Sequence, residues 1–128
     1  NVLQAINILS KLFSHIFIIT NQQGIGKGIM SKDDLHLLHQ KMIDEIEKKG
    51  GKIDKIYFCL HLEKDNCNCR KPKIGMIENA IKDFPSINIQ KTYLIGDSPS
   101  DIQAGEKAGI KSVKVDNQFT LFDWAKQL

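Results

Sequence analysis

The stretch Thr92-Tyr93-Leu94-Ile95-Gly96-Asp97-Ser98-Pro99-Ser100-Asp101 holds a strand and the start of a helix within ten residues. The apolar run from Thr92 to Ile95 is typical of a buried strand. Proline suits the first turn of a helix, where no N–H is needed, and the helical pattern then continues to about Ala108. A buried strand that leads directly into a helix is the unit from which parallel sheets are built.

The same alternation of strand and helix continues on both sides of this unit. Further strands are predicted at Ile16–Ile19, Ile53–Cys59 and Ser112–Val115. Helices are predicted over the first thirteen residues, from the capping box of Ser31 and Asp34 to about Lys49, after Pro72 as far as Phe84, and over Leu121–Ala125. The order α-β-α-β-α-β-α-β-α predicts one α/β domain over residues 1–128, with a parallel sheet covered by helices on both faces.

Composition limits the possible partners. The chain has 128 residues, 41% hydrophobic and 26% charged, with a formal net charge of +3. That modest charge is spread along the chain and gives no reason to expect nucleic acid as a partner. No apolar run reaches membrane-spanning length, and no signal-peptide pattern is present. We therefore expect a cytoplasmic monomer that binds neither nucleic acid nor a membrane.

Polar segments follow three of the four predicted strands. These segments begin at Thr20-Asn21, at Cys59 and at Asp97. In parallel sheets, ligands bind at the carboxyl ends of the strands. The pattern therefore predicts a single functional site at that edge of the sheet.

The segment after the second strand carries a set of metal ligands. Cys59-x-His61 and Cys67-x-Cys69 are two ligand pairs separated by five residues, and they include all three cysteines of the chain. Three thiolates and one imidazole form a closed tetrahedral Zn²⁺ set, which would be structural because no position remains for water. Three unrelated buried thiols are the alternative; a disulfide is disfavoured in a reducing compartment and would leave one cysteine over. The spacing favours a zinc-binding loop at residues 59–69.

Charged residues of both signs also follow the strands. Arg70 and Lys71 come directly after the last predicted zinc ligand and are suited to a phosphate, although they could be two surface cations. Asp97 and Asp101 are suited to Mg²⁺, which commonly takes one or two protein carboxylates and leaves the rest to phosphate and water. Helix capping by Asp97 or Ser98 explains the same residues equally well.

Taken together, these segments resemble the haloacid dehalogenase superfamily of phosphotransferases. The resemblance rests on a strand ending in Thr20, then Lys71, then the loop Gly96-Asp97-x-x-x-Asp101. Within the superfamily, Thr20-Asn21-Gln22-Gln23-Gly24-Ile25 and the zinc loop with its Cys69-Arg70-Lys71-Pro72 ending are similar to the group of heptose bisphosphate and histidinol-phosphate phosphatases. The resemblance implies a Rossmann-like three-layer α/β/α fold.

The resemblance also implies roles for the site residues. Around the transferring phosphoryl group it implies a catalytic set formed by Thr20, Asn21, Lys71 and Asp101, the last supporting either Lys71 or the metal. It further implies substrate contacts from Arg70, Gln23 and Gly24, a catalytic Mg²⁺ on Asp97, and a structural Zn²⁺ on Cys59, His61, Cys67 and Cys69.

The chain departs from the family at the nucleophile. The family forms an aspartyl-phosphate on an Asp-x-Asp motif, carried by a first strand that precedes the helix starting near Val2. These residues contain no such strand. We expect that the motif lies upstream of Asn1 and that the chain as given has no turnover by itself.

The resulting expectation is a Mg²⁺-dependent phosphatase of D-glycero-D-manno-heptose 1,7-bisphosphate. Gly75-Met76 favours the heptose enzymes, whereas the short His61–Cys67 spacing and Lys73 are also compatible with histidinol phosphate. A DNA-end phosphatase shares the Thr-Asn-Gln-x-Gly-Ile-Gly loop, but we expect such enzymes to lack the zinc loop. The alternatives from other classes are a zinc-stabilised phosphate-binding module without catalysis and a scaffold domain.

Overall fold

A computed structural model of the chain describes residues 2–21, 31–59, 71 and 73–128, with Asn21 described by its backbone alone. The helices are α1 (Val2–Leu12), α2 (Lys32–Lys48), α3 (Gly75–Asp83), α4 (Pro99–Ala108) and α5 (Leu121–Lys126). The strands are β1 (Phe17–Asn21), β2 (Lys55–Cys59), β3 (Tyr93–Gly96) and β4 (Lys111–Lys114). A short 3₁₀ turn, Ile89–Lys91, precedes β3. The alternation predicted from the sequence is confirmed.

The strands pair in parallel, as predicted. β1 pairs with β2 from Phe17↔Lys55 to Asn21↔Cys59, and β3 pairs with β4 from Tyr93↔Lys111 to Gly96↔Lys114. Within the described ranges, no ladder joins β1 to β3, so the strands form two pairs instead of the single sheet expected.

Helix α3 connects the two strand pairs. Its Met76 and Ala80 pack with Tyr57 and Cys59 of β2. On the same helix, Ile77 belongs to a cluster with Leu94 of β3 and Ala104 of α4, and Ile19 of β1 packs against both clusters. α3 therefore packs against both strand pairs, and Lys71 lies in sequence shortly before its first residue, Gly75. A third cluster joins the ends of the described chain through Ala5 and Leu9 of α1 and Trp124 and Ala125 of α5.

Three of the described helices begin with a capping box. In it, the side chain of the cap residue accepts from the N–H three residues on, and the carboxylate there accepts from the N–H of the cap residue. The pairs are Ser31 with Asp34, Ser98 with Asp101, and Thr120 with Asp123. Each such cap typically stabilises a helix by about 1 kcal/mol. Helix α4 ends at Gly109, whose φ of 76° is the left-handed conformation that glycine adopts without strain. None of the helices in the described ranges is both long and apolar enough to span a bilayer.

Candidate active site

The carboxyl ends of the strands carry the residues that the sequence singled out. Thr20 and Asn21 end β1, opposite Phe58 and Cys59 at the end of β2. Asp97 follows directly after Gly96, the last residue of β3. The predicted placement of these residues at strand ends is therefore confirmed, while their roles remain a prediction.

A buried ion pair joins the segment after β2 to the first turn of α4. The Lys71 ammonium donates to Oδ1 of Asp101, and the two side chains are 14% and 8% exposed. Charges this far from water are costly unless they are paired and hydrogen-bonded. The structure thus brings together two of the predicted catalytic residues, which lie 30 positions apart in sequence.

The other oxygen of the Asp101 carboxylate is held by Ser98. Oδ2 of Asp101 accepts from the Ser98 hydroxyl at 2.9 Å and from the Ser98 N–H at 3.3 Å. Burial alone raises the pKa of Asp101. The hydrogen bonds from Lys71 and Ser98, together with the Lys71 charge, outweigh burial and hold that pKa below its usual value. The carboxylate is therefore ionised at neutral pH, with both oxygens engaged.

Gly96 leaves room for this carboxylate. A Cβ placed on Gly96 would overlap the Asp101 side chain at its Cβ, its Cγ and its Oδ2. Any other residue at position 96 would therefore displace the carboxylate that pairs with Lys71. Position 96 of the Gly96-Asp97 motif therefore requires glycine, because a side chain there would collide with Asp101.

Asp97 differs from Asp101 in its surroundings. Its side chain is exposed at the end of β3. No hydrogen bond or ion pair that the structure describes involves its carboxylate, whereas both oxygens of Asp101 are engaged. An exposed carboxylate at a strand end fits the single protein ligand that Mg²⁺ often takes beside phosphate oxygens and water. The described residues contain no ready-made group of three or more metal-ligating side chains.

The predicted zinc loop and substrate contacts lie largely outside the described residues. These residues are Gln23, Gly24, His61, Cys67, Cys69 and Arg70. Cys59, the one described zinc ligand, is 1% exposed and disulfide-bonded. A disulfide sulfur offers no thiolate to a metal, so Cys59 in this state does not fit a zinc site. The disulfide is the alternative that the sequence analysis disfavoured.

Ser98 is the residue of this site that the sequence analysis undervalued. From the sequence alone, helix capping at this position and a functional carboxylate pair are alternatives. The structure shows that one carboxylate takes part in both, because Asp101 completes the cap through Oδ2 and pairs with Lys71 through Oδ1. The spacing Ser98-x-x-Asp101 was the available signal, since it is a capping-box pattern.

Comparison with known proteins identifies relatives of this chain. A family model described as HAD-hydrolase-like matches residues 68–126. The D-glycero-beta-D-manno-heptose-1,7-bisphosphate 7-phosphatase of Rhodopseudomonas palustris is 36% identical over 121 residues, which cover 89% of this chain and 67% of that protein. The histidine biosynthesis bifunctional protein HisB of Blochmanniella floridana is 36% identical over 125 residues, which cover 98% of this chain and 34% of that protein. The chain spans about two thirds or less of the length of these curated relatives.

A solved structure agrees with the sequence relatives. The crystal structure of the D,D-heptose 1,7-bisphosphate phosphatase from B. bronchiseptica, complexed with magnesium and phosphate, superposes with a TM-score of 0.88 at 28% sequence identity. The match covers 98% of this chain and 79% of that one. The chain belongs to the haloacid dehalogenase superfamily, in the group of the heptose bisphosphate and histidinol-phosphate phosphatases.

Proposed function

We propose that the protein is a Mg²⁺-dependent phosphatase of D-glycero-D-manno-heptose 1,7-bisphosphate. The observation that carries the proposal is the buried Lys71–Asp101 pair. In sequence, Asp101 comes four residues after Asp97, whose carboxylate is exposed. The proposal is supported by the heptose bisphosphate phosphatases among the sequence and structural relatives. The substrate is inferred from those relatives.

Each residue of the site has a distinct part in this proposal. Lys71 presents a compact positive charge to the transferring phosphoryl group, and Asp101 keeps the ammonium in place. Asp97 holds the Mg²⁺, which supplies charge neutralisation at the phosphate oxygens when it is bound. Thr20 and Asn21 donate hydrogen bonds to the same phosphoryl group. Phosphoryl transfer depends mainly on such positioning and charge stabilisation.

The geometry favours one of the two roles open to Asp101. Its Oδ1 is engaged by Lys71 and its Oδ2 by Ser98, whereas Asp97 has no such partners among the described residues. We infer that Asp101 supports the lysine and that Asp97 is the metal ligand. The chemistry expected from the family is attack by an aspartate, followed by hydrolysis of the aspartyl-phosphate.

Histidinol phosphate is the second candidate substrate. The relative of Blochmanniella floridana that carries the name HisB is as similar in identity as the heptose relative, and its match covers more of this chain. Both substrates are phosphate monoesters, so Lys71 and Asp97 would serve either one. A phosphate-binding module without catalysis would show the same contacts and would bind a phosphorylated ligand without releasing phosphate.

The metal role can be tested with Asp97→Asn in the protein expressed from its complete gene. We expect phosphate release to require Mg²⁺ and to fall by about a hundredfold or more in the variant, because even outer-shell partners of a metal are worth about 10–100-fold. The fold should be retained, because the Asp97 side chain is exposed. Asp44→Asn is the matched control: it removes an exposed helical carboxylate whose partner is Gln40 of the same helix. Equal turnover of the Asp97 and Asp44 variants would refute the assignment.

A further inference from the structure

The three capping boxes share one geometry but differ in their surroundings. Asp34 lies on an exposed helix start, and the side chain of Asp123 is 39% exposed. Asp123 forms an ion pair with Lys126 of its own helix at 3.6 Å. The Asp101 side chain is only 8% exposed and pairs with Lys71 from a distant segment. Of the three described capping boxes, the box of Ser98 and Asp101 is therefore the one that connects to a proposed catalytic lysine.

The Ser98 hydroxyl uses its one proton and both of its acceptor sites in hydrogen bonds. The oxygen accepts from the N–H of Asp101 at 3.4 Å, and its proton goes to Oδ2 of Asp101. The Ser100 hydroxyl lies 2.9 Å from the Ser98 oxygen. Because a hydroxyl has one proton and two acceptor sites, Ser100 must then be the donor in that contact. The Ser98 hydroxyl is thereby fully used and fixed in direction.

We propose that Ser98 is a positioning residue for Lys71 and acts through the Asp101 carboxylate. The terminal torsion of an aspartate is broad, so the carboxylate could otherwise rotate. Two donors from Ser98 hold Oδ2, and the carboxylate occupies the space that a Cβ on Gly96 would fill. Oδ1 is therefore directed at the Lys71 ammonium, and the long lysine side chain is held in one place. This inference rests on the proposed function of Lys71 as the phosphoryl-binding cation.

The test compares Ser98→Ala with Ser98→Thr and with Thr120→Ala, in the protein expressed from its complete gene. Thr120→Ala removes the equivalent capping hydroxyl at the start of α5, so it reports the cost of losing a cap alone. We expect the two alanine variants to lose a similar few degrees of Tm, on the order of 2–8 °C. Only Ser98→Ala should lower kcat, by about 10–100-fold, the usual effect of removing an outer-shell partner. Ser98→Thr should restore both.

A second measurement reads Lys71 directly, without turnover. In protein labelled with ¹⁵N-lysine, a buried, paired ammonium should give a slowly exchanging Nζ signal, assigned by its absence in Lys71→Met. We expect that signal to disappear in Ser98→Ala and to persist in Thr120→Ala and Ser98→Thr. Should Ser98→Ala fold poorly, Ser98→Gly takes its place, because glycine also lacks the hydroxyl and is itself an acceptable N-cap.

The two measurements separate the failure of this inference from the failure of the proposed function. An unchanged kcat or an unchanged Lys71 signal in well-folded Ser98→Ala would overturn the positioning role. The same is true if Thr120→Ala lowers kcat as strongly, because loss of a cap alone would then explain the effect. A wild-type protein without phosphatase turnover would refute the proposed function, while loss of the Lys71 signal in Ser98→Ala would still support the connection from Ser98 to Lys71.

Discussion

Asp101→Asn is expected to be strongly destabilising because it removes the carboxylate charge that pairs with the buried Lys71 ammonium. The two side chains are 14% and 8% exposed, so water can replace little of what is lost. Breaking one side of a buried ion pair typically costs about 3–5 kcal/mol. The amide can still accept from Ser98, which keeps the helix cap and places the expected loss near the lower end, at about 3 kcal/mol. That is a large part of the roughly 5–15 kcal/mol by which a domain is stable.

The assay is equilibrium unfolding in urea of the protein expressed from its complete gene. With a slope of roughly 1–3 kcal/mol per molar urea, a loss of about 3 kcal/mol lowers the midpoint by about 1–3 M. Asp123→Asn is the matched control, since Asp123 occupies the same position of a capping box and is also paired with a lysine. Its pair with Lys126 is exposed, at 54% and 39%, so its midpoint should move far less.

A double-mutant cycle isolates the pair itself. Lys71→Met removes the buried cation, so Asp101→Asn should cost much less in that background than in the wild type. Equal midpoint shifts for Asp101→Asn and Asp123→Asn would show that burial of the Lys71 pair has no energetic consequence. Strict additivity in the cycle would lead to the same conclusion, and the argument for Ser98 would lose its basis.

Two other predictions concern the rest of the chain. Burial lowers the pKa of His39, and nearby His36 lowers it further. The unfolded chain therefore binds a proton at His39 more tightly than the folded protein does. As a result, the free energy of unfolding should fall as the pH drops from about 6.5 towards the pKa of the folded state. Urea unfolding at about pH 7.5 and pH 5.5 checks this, because His39→Leu should flatten that dependence and an unchanged slope would contradict it. Zinc binding is expected only after reduction, since Cys59 is disulfide-bonded. Metal analysis of reduced protein purified with zinc should then find about one zinc per chain. Thermal unfolding of the same reduced protein should give a lower Tm for Cys67→Ser. Reduced protein without zinc would refute the predicted ligand set.

Local signals predicted the helices well. Pro99 and Gly109 mark the two ends of α4 by backbone chemistry, and the predicted span to Ala108 is the observed one. The starts of the strands were predicted less well: the second strand was expected from Ile53, whereas β2 begins at Lys55. There the side chain of Asp54 accepts from the Ile16 N–H at 2.7 Å, so a side-chain bond precedes the strand ladder. Apolar periodicity does not report such a bond.

The parts of the site that the sequence could not supply are all tertiary. It placed Lys71 after the second strand and Asp101 at the start of the helix after the third, but their direct contact joins residues 30 positions apart, which local patterns do not encode. The spacing Ser98-x-x-Asp101 predicts a cap, yet its connection to Lys71 requires knowing which oxygen of Asp101 each partner occupies. Which strands pair within the described ranges likewise depends on long-range contacts that local patterns do not encode.

The most direct test of the proposed activity is phosphate release by the protein expressed from its complete gene, measured on two substrates with and without Mg²⁺. We predict Mg²⁺-dependent turnover of D-glycero-D-manno-heptose 1,7-bisphosphate, with a kcat/KM at least about tenfold above that for histidinol phosphate, a preference of about 1.4 kcal/mol. A preference for histidinol phosphate would keep the reaction and correct the substrate. Release of phosphate from neither substrate, or turnover that persists when Mg²⁺ is chelated, would contradict the account.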